Sequence, residues 1–430
     1  MAAVSLRNEA VELLRELIRL DTVNPPGNET LAAELLRAYL EEAGVQCELY
    51  AKVPERANLV ARIPGGDGPR LLLLSHTDTV LADPSEWSVD PWSGELRDDQ
   101  VWGRGALDMK SQVAASAVAM ATLAREGFQP AGDLIFVASA DEEVGDDYGL
   151  SWLCKEHPDA VRAEYCINEG GGDRVAPDRR PVYLCSTAEK TGSPFVLRVG
   201  GRSGHASMPG IADNALVRAA RLIERLGRFA APPRLLPETE AFFAALGAVP
   251  SIAEVTTRLA DLEPAVRAMV EPMLGMTISP TMIEASKKVN VVPGLCEVVC
   301  DCRLLPGETQ QEADEAIRAW LGDDSYTLEW SDAVGGTSSP LGTPLWEVIQ
   351  EFVTTEEPGA LLAPVILPGF TDSHFMRAAF GTVAYGFFPM RAMEPEVAAR
   401  LIHSADERIA VTDLELGTRF LVHVARTLLR

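Results

Sequence analysis

Residues 134–145 read LIFVASADEEVG. An apolar run of strand length ends in small residues, and the adjacent carboxylates Glu142 and Glu143 follow at once. A run apolar on both faces belongs to the interior of a sheet rather than to its solvated side. Charge at the end of such a strand is costly unless it is paired. A surface turn would hold two glutamates without consequence, whereas two acids at one strand end could also divide a chemical task.

Outward from this stretch, the first third of the chain alternates helix and strand. Helical periodicity covers 5–19 and 29–43, the second closed by Gly44, and a further helix is expected near 110–126. ANLVARI, RLLLLSH and EYCINEG read as strands. The alternation predicts an α/β layer structure with a mostly parallel central sheet. After about residue 187 the texture changes to strands such as SPFVLRVGG, MTISPTMIEA and CEVVCDCRLL, with one helix near 213–228. The proline-punctuated stretch 232–280 matches no single element. From about 306 helices return, near 311–321, 342–353 and 411–429. The expected organisation is therefore a catalytic domain in two parts, 1–186 and 306–430, with a small α+β domain inserted at 187–305.

Composition removes several classes of function. With 430 residues and 47% hydrophobic content the chain can bury a sizeable core and form two domains. The net charge of −25 leaves no basic patch for nucleic acid and disfavours anionic membranes. No apolar run approaches the length that crosses a bilayer. The first twenty residues read as an amphipathic helix of the mature fold rather than a leader, so a cytoplasmic location is expected. Seven scattered cysteines suggest no disulfide framework. Cys296, Cys300 and Cys302 share one strand face and read as packing. His157 and His423 sit in helical contexts and read as structural.

Four segments fall at strand ends or in the loops after them, where open α/β sheets place their sites. SHTDTV supplies His76 and Asp78, GRGALDMK supplies Asp108, the opening stretch supplies Glu142 and Glu143, and INEGGG supplies Glu169. Each alone has an ordinary reading, Asp108 as a helix cap and the others as polar loop residues. His76, Asp108, Glu142, Glu143 and Glu169 gathered into one crevice would carry four negative charges, which repulsion and desolvation forbid without cations. Two divalent ions resolve that conflict. A mixed imidazole–carboxylate donor set suits Zn2+ best, with Co2+ or Mn2+ as substitutes.

These four segments, in this order and over nearly the whole chain, resemble the M20 metallopeptidases and amidohydrolases. That family includes carboxypeptidases, dipeptidases, aminoacylases and succinyl-diaminopimelate desuccinylases. The resemblance implies a zinc-peptidase-like catalytic domain with an inserted lid through which two copies dimerise. It implies that His76, Asp108, Glu143 and Glu169 bind two metal ions, with Asp108 shared. Asp78 would orient His76, and Glu142 would be the general acid/base. The remaining ligand should be a histidine near the C-terminus. His403 in LIHSADERI fits, and His374 in PGFTDSHFMR is the rival, read as a pocket residue. In the inserted region His205 in GGRSGHASMPG matches a lid histidine that reaches a catalytic centre, with a surface-loop histidine as the plain alternative. Asn290 and Arg303 match positions that meet substrate, and Arg377 is a weaker candidate for the same duty. The implied substrate is a short peptide or an N-acyl amino acid.

Two other classes remain to be weighed. One is a binding protein that keeps the fold without catalysis. The other is a magnesium-dependent phosphate-transfer enzyme, which predicts an all-oxygen metal shell and a phosphate loop. A serine hydrolase is excluded because GRSGH places its second glycine one position early for a nucleophile elbow.

Overall fold

The computed structural model describes residues 5–145, 147–176, 180–247, 251–262, 264–322 and 325–430. The chain forms two compact units. The first comprises 1–187, 339–365 and 371–430, and the second comprises 188–338 and 366–370.

The first unit is built on a sheet of β1 (Gln46–Ala51), β2 (Ala57–Ile63), β3 (Leu71–His76), β4 (Leu134–Ser139), β5 (Tyr165–Asn168), β6 (Val182–Glu189), β7 (Leu361–Leu367) and β8 (Val383–Gly386), in the order β1-β2-β4-β3-β5-β8-β6-β7. The central strands β4, β3, β5 and β8 run parallel; β2 pairs antiparallel with β4 and β6 with β8, and β1 pairs antiparallel with β2. The parallel centre explains the unbroken apolar runs. Leu71, Leu73, Leu134 and Phe136 join one buried cluster, and Leu72, Leu74, Ile135 and Val137 join another on the opposite face.

The first cluster lies beneath α1 (Leu6–Ile18), α2 (Thr30–Glu42), α3 (Lys110–Arg125), α4 (Pro344–Glu356) and α5 (Val411–Leu428). Ser5 and Thr343 cap α1 and α4 through their hydroxyls. The second cluster is covered by the helices Leu150–Glu156 and Ser373–Phe380. His157 ends the first of these between the rings of Tyr50 and Trp152, and His423 on α5 faces Phe352. Both histidines are thus packing residues.

The second unit holds a sheet in which Leu295–Leu304 lies between Phe195–Gly200 and Thr277–Glu284, all antiparallel. Cys296, Cys300 and Cys302 are fully buried in its core. The 232–280 stretch folds as the helices Pro237–Ala245, Ile252–Asp261 and Pro264–Val270. The insert does not stop at 305. Ile317, Leu321 and Tyr326 bury themselves in the same core as Phe195 and Val298, and Tyr326–Trp330 pairs with Phe195–Val199. The boundary therefore falls at Ser338, because residues 306–338 find their apolar partners here. Among the described residues no helix is long and apolar enough to cross a membrane.

Leu73 sits at the centre of β3 with no exposed surface. Leu73→Ala should cost about 2–5 kcal/mol of stability, read as a lowered midpoint in urea denaturation followed by circular dichroism. A shift worth less than about 1 kcal/mol would contradict this placement.

Candidate active site

The carboxyl ends of β3, β4 and β5 bring His76, Glu142, Glu143 and Glu169 to one place. His76 is the last residue of β3 and is buried. Its Nδ1 faces the Asp78 main-chain oxygen at 3.1 Å and the Asp78 carboxylate at 3.5 Å. This leaves Nε2 facing Asp108 at 3.1 Å, Glu169 at 3.7 Å and Glu142 at 3.9 Å. Asp108 is not a helix cap: α3 begins after Met109 and carries no side-chain cap. The Asp108 carboxylate instead lies between two imidazoles, since His403 Nε2 is 3.2 Å from its other oxygen. His403 also meets Glu143, at 3.1 Å.

Two triads result, His76–Asp108–Glu169 and Asp108–Glu143–His403, each with ligand atoms within 4.8 Å of one another. Asp108 belongs to both. The donor set suits a divalent cation, and one atom points to it directly. Glu143 Oε1 is buried without a hydrogen-bond partner among the described residues, a costly state for a carboxylate oxygen unless a cation faces it. Glu142 enters neither triad.

Asp78 does more than face His76. Its two carboxylate oxygens accept the backbone N–H groups of Glu142 and Glu143, at 3.2 and 3.1 Å, and Asn24 Nδ2 donates to it at 2.9 Å. Asp141, held at a left-handed φ of 66°, accepts from Asn24 and Arg56, both at 2.8 Å. The turn that aims the two glutamates is thereby fixed from beneath. In INEGGG the glycines are needed by close approach, since a Cβ on Gly172 would run into the Phe388 carbonyl.

The charges perturb one another strongly. Burial raises Glu142 well above the usual carboxylate range, and Glu169, Asp372 and Asp108 push it further. Burial and the nearby Asp108 do the same to Glu169. Burial opposes the charge on His76, yet its hydrogen bonds to Asp108 and Asp78 win and raise it well above its usual value. Hydrogen bonds to Asp108 and Glu143 push His403 up to about 10.

His374 belongs to neither triad, with Nδ1 at 2.8 Å from the Thr371 carbonyl and its proton affinity lowered by burial. Arg377 differs from the expectation. It is buried, with Nε on the Ser339 hydroxyl and Nη2 on the Ala384 carbonyl. The second unit carries the other three candidates. His205 and Asn290 are neighbours there, since Ala206 N–H donates to the Asn290 carbonyl, and His205 Nδ1 is 2.7 Å from the Ser207 hydroxyl. Arg303 pairs with Asp301 at 3.0 Å. Sequence reasoning missed Asn24, Asp141, Asp372 and Glu407. Asp372, beside His374 in TDSH, receives the Ser139 hydroxyl at 2.8 Å. Glu407 lies four residues beyond His403, the one hint the sequence offered.

The mixed α/β fold and two acid–imidazole clusters that share a carboxylate define a metal-dependent amidohydrolase. The chain belongs to peptidase family M20/M25/M40, whose sequence model matches residues 72–427. It is 26% identical to the N-fatty-acyl-amino acid synthase/hydrolase PM20D1 of Xenopus tropicalis, over 97% of this chain and 85% of that protein. It is 29% identical to the succinyl-diaminopimelate desuccinylase of Parvibaculum lavamentivorans, over 98% and 95% of the two chains. Its fold matches the M20 family metallo-carboxypeptidase Sso-CP2 of Sulfolobus solfataricus with a TM-score of 0.73, at 18% identity over 98% and 99% of the two chains. The chain is accordingly a hydrolase of peptide or acyl-amino-acid amide bonds, and neither the binding-protein nor the phosphate-transfer alternative finds support.

The raised imidazoles give a test. His403 gains proton affinity on folding, so in metal-stripped protein its stabilising charge is fully present below its ordinary 6.5 and lost as pH climbs through about 10. Divalent ions binding at pH 7 must displace such protons. Calorimetric heats should therefore vary with buffer ionisation enthalpy in the sense of proton release. Heats independent of the buffer would contradict the assignment of these imidazoles as ligands.

Proposed function

We propose that this enzyme holds two divalent ions, most readily zinc, and hydrolyses an amide bond next to a free carboxylate. The substrates would be short peptides or N-acyl amino acids. Its two named sequence relatives act by name on N-acyl amino acids, which favours a deacylase within that range.

One observation carries the mechanism. Of the four acidic groups that crowd the Nε2 atoms of His76 and His403, Glu142 stands outside both triads. It sits 3.9 Å from His76 Nε2, close enough to reach a water lying between the two clusters. When bound, the ions supply Lewis-acid polarisation of the scissile carbonyl and acidify the attacking water. Glu142 takes the proton of that water and passes it to the departing nitrogen. Burial raises the proton affinity of Glu142 in the metal-free protein, and burial is what keeps a carboxyl able to hold a proton before it delivers it. Asp78 keeps His76 in one tautomer and holds the backbone of Glu142 and Glu143, so ligand and base are set by the same carboxylate.

In this reading the second unit is the lid, with His205 and Asn290 as its polar donors and Arg303 as the fork for the substrate carboxylate. The enzyme would be a homodimer through this unit. Among the described residues Thr277–Glu284 pairs on one edge only, and it exposes Met282 and Ile283, the type of edge that a second copy covers. A cytoplasmic location agrees with seven free cysteines.

Glu142→Gln keeps the shape of the side chain and removes its proton chemistry. Turnover on a panel of N-acetyl, N-succinyl and long-chain N-acyl amino acids and dipeptides should fall by a factor of about 10²–10⁴. Metal content should stay at the wild-type level. Full activity in the metal-replete variant would remove Glu142 from the mechanism.

A further inference from the structure

His403 is the least supported member of the two triads. Its side chain is 51% exposed, and its backbone sits at a left-handed φ of 60°. A half-exposed imidazole on a turn does not hold a fixed place by packing. The hold comes from Glu407, four residues on, which is fully buried. One of its carboxylate oxygens accepts the backbone N–H groups of Leu107 and Asp108, at 2.7 and 3.0 Å. The other accepts Gly105 N–H at 3.1 Å and Arg104 Nη1 at 2.6 Å. The seam extends on both sides. The Glu407 carbonyl receives Gly103 N–H at 2.9 Å, the Asp406 carboxylate receives Ser88 N–H at 2.8 Å, and Arg408–Ala410 pairs with Gln100–Trp102.

The Glu407 carboxylate is thus spent on the loop that ends in Asp108, and its backbone is continuous with His403. It touches none of His76, Glu142, Glu143 or Glu169 through a hydrogen bond of its side chain. We propose that Glu407 is a positioning residue that fixes the distance between His403 and the Asp108 carboxylate. It thereby supports the Asp108–Glu143–His403 site in preference to the His76–Asp108–Glu169 site. The proposal rests on the two-metal reading above. Four hydrogen bonds on one carboxylate, two of them to the residues at and before the shared ligand, make the arm rigid only while the acceptor stays an acceptor. An amide in the same place would aim N–H at N–H and open the seam.

The test compares wild type, Glu407→Gln and Asp413→Asn. Asp413 is the control, a buried carboxylate of the same unit that accepts the backbone N–H groups of Arg391, Ala392 and Met393 and has no hydrogen bond to the Asp108 loop or to His403. Zinc content after dialysis and affinities from chelator competition are measured with Tm, kcat and KM. Wild type and Asp413→Asn should each hold two equivalents with equal affinities, although Asp413→Asn lowers Tm. Glu407→Gln should keep one equivalent at wild-type affinity and weaken the other by about 10–100-fold. Its kcat should fall with KM little changed, and excess zinc should restore part of that kcat. Both equivalents bound as tightly as in wild type, or both weakened alike, would overturn the proposal. A wild-type protein that holds fewer than two equivalents overturns the two-metal reading itself, a distinct outcome. If Glu407→Gln yields no folded protein, Glu407→Asp replaces it: the shorter arm keeps the charge, breaks the same hydrogen bonds and must show the same loss at one site only.

Discussion

The Asp108 carboxylate lies between His76 and His403, 3.1 and 3.2 Å from their Nε2 atoms, with three glutamates close by. So much negative charge in a buried crevice is unstable by itself, and the rest of the first unit serves to hold it there. The parallel strands β3, β4 and β5 end together, so that residues far apart in sequence meet. The buried clusters on both faces of the sheet make those ends rigid. Protons on the imidazoles, or divalent ions in their place, balance the charge.

Below the ligands lies a second tier of buried carboxylates whose acceptors face the backbone. Asp78 holds the amides of Glu142 and Glu143, and Glu407 holds those of Leu107 and Asp108. Asp141, between Asn24 and Arg56, fixes the turn into Glu142. Each of these acids is positioned by main-chain donors or a buried arginine, so its charge is satisfied without competing for a cation. The acidic excess therefore divides by function. Some carboxylates gather in the two triads, Glu142 stands outside them, and others face the backbone.

Much of this was legible in the sequence. Runs such as LLLL and LIFVA can be apolar throughout only if both faces of the sheet are covered, and this revealed the parallel centre. Histidines and acids at successive strand ends revealed the candidate ligands, because chain order in a parallel sheet fixes which loops converge. The positioning residues were less visible. Asn24 and Glu407 look like loop residues, since Asn24 donates to a carboxylate 54 positions away and Glu407 accepts backbone N–H groups about 300 positions away, and no local pattern reports such a partner. The domain boundary was missed for a related reason. The helix Gln310–Leu321 has an ordinary amphipathic pattern, and periodicity states that a face is buried without saying against which sheet. Arg377 was the weaker candidate for the substrate carboxylate, and its guanidinium donates to the Ser339 hydroxyl and the Ala384 carbonyl.

The central claim is that two cations share Asp108. Anomalous diffraction at the zinc edge from crystals grown with zinc tests it most directly. The account predicts two peaks roughly 3.5–4 Å apart, one against His76 and Glu169, the other against Glu143 and His403, with the Asp108 carboxylate between them. A single peak, or two peaks that do not both touch Asp108, would contradict it.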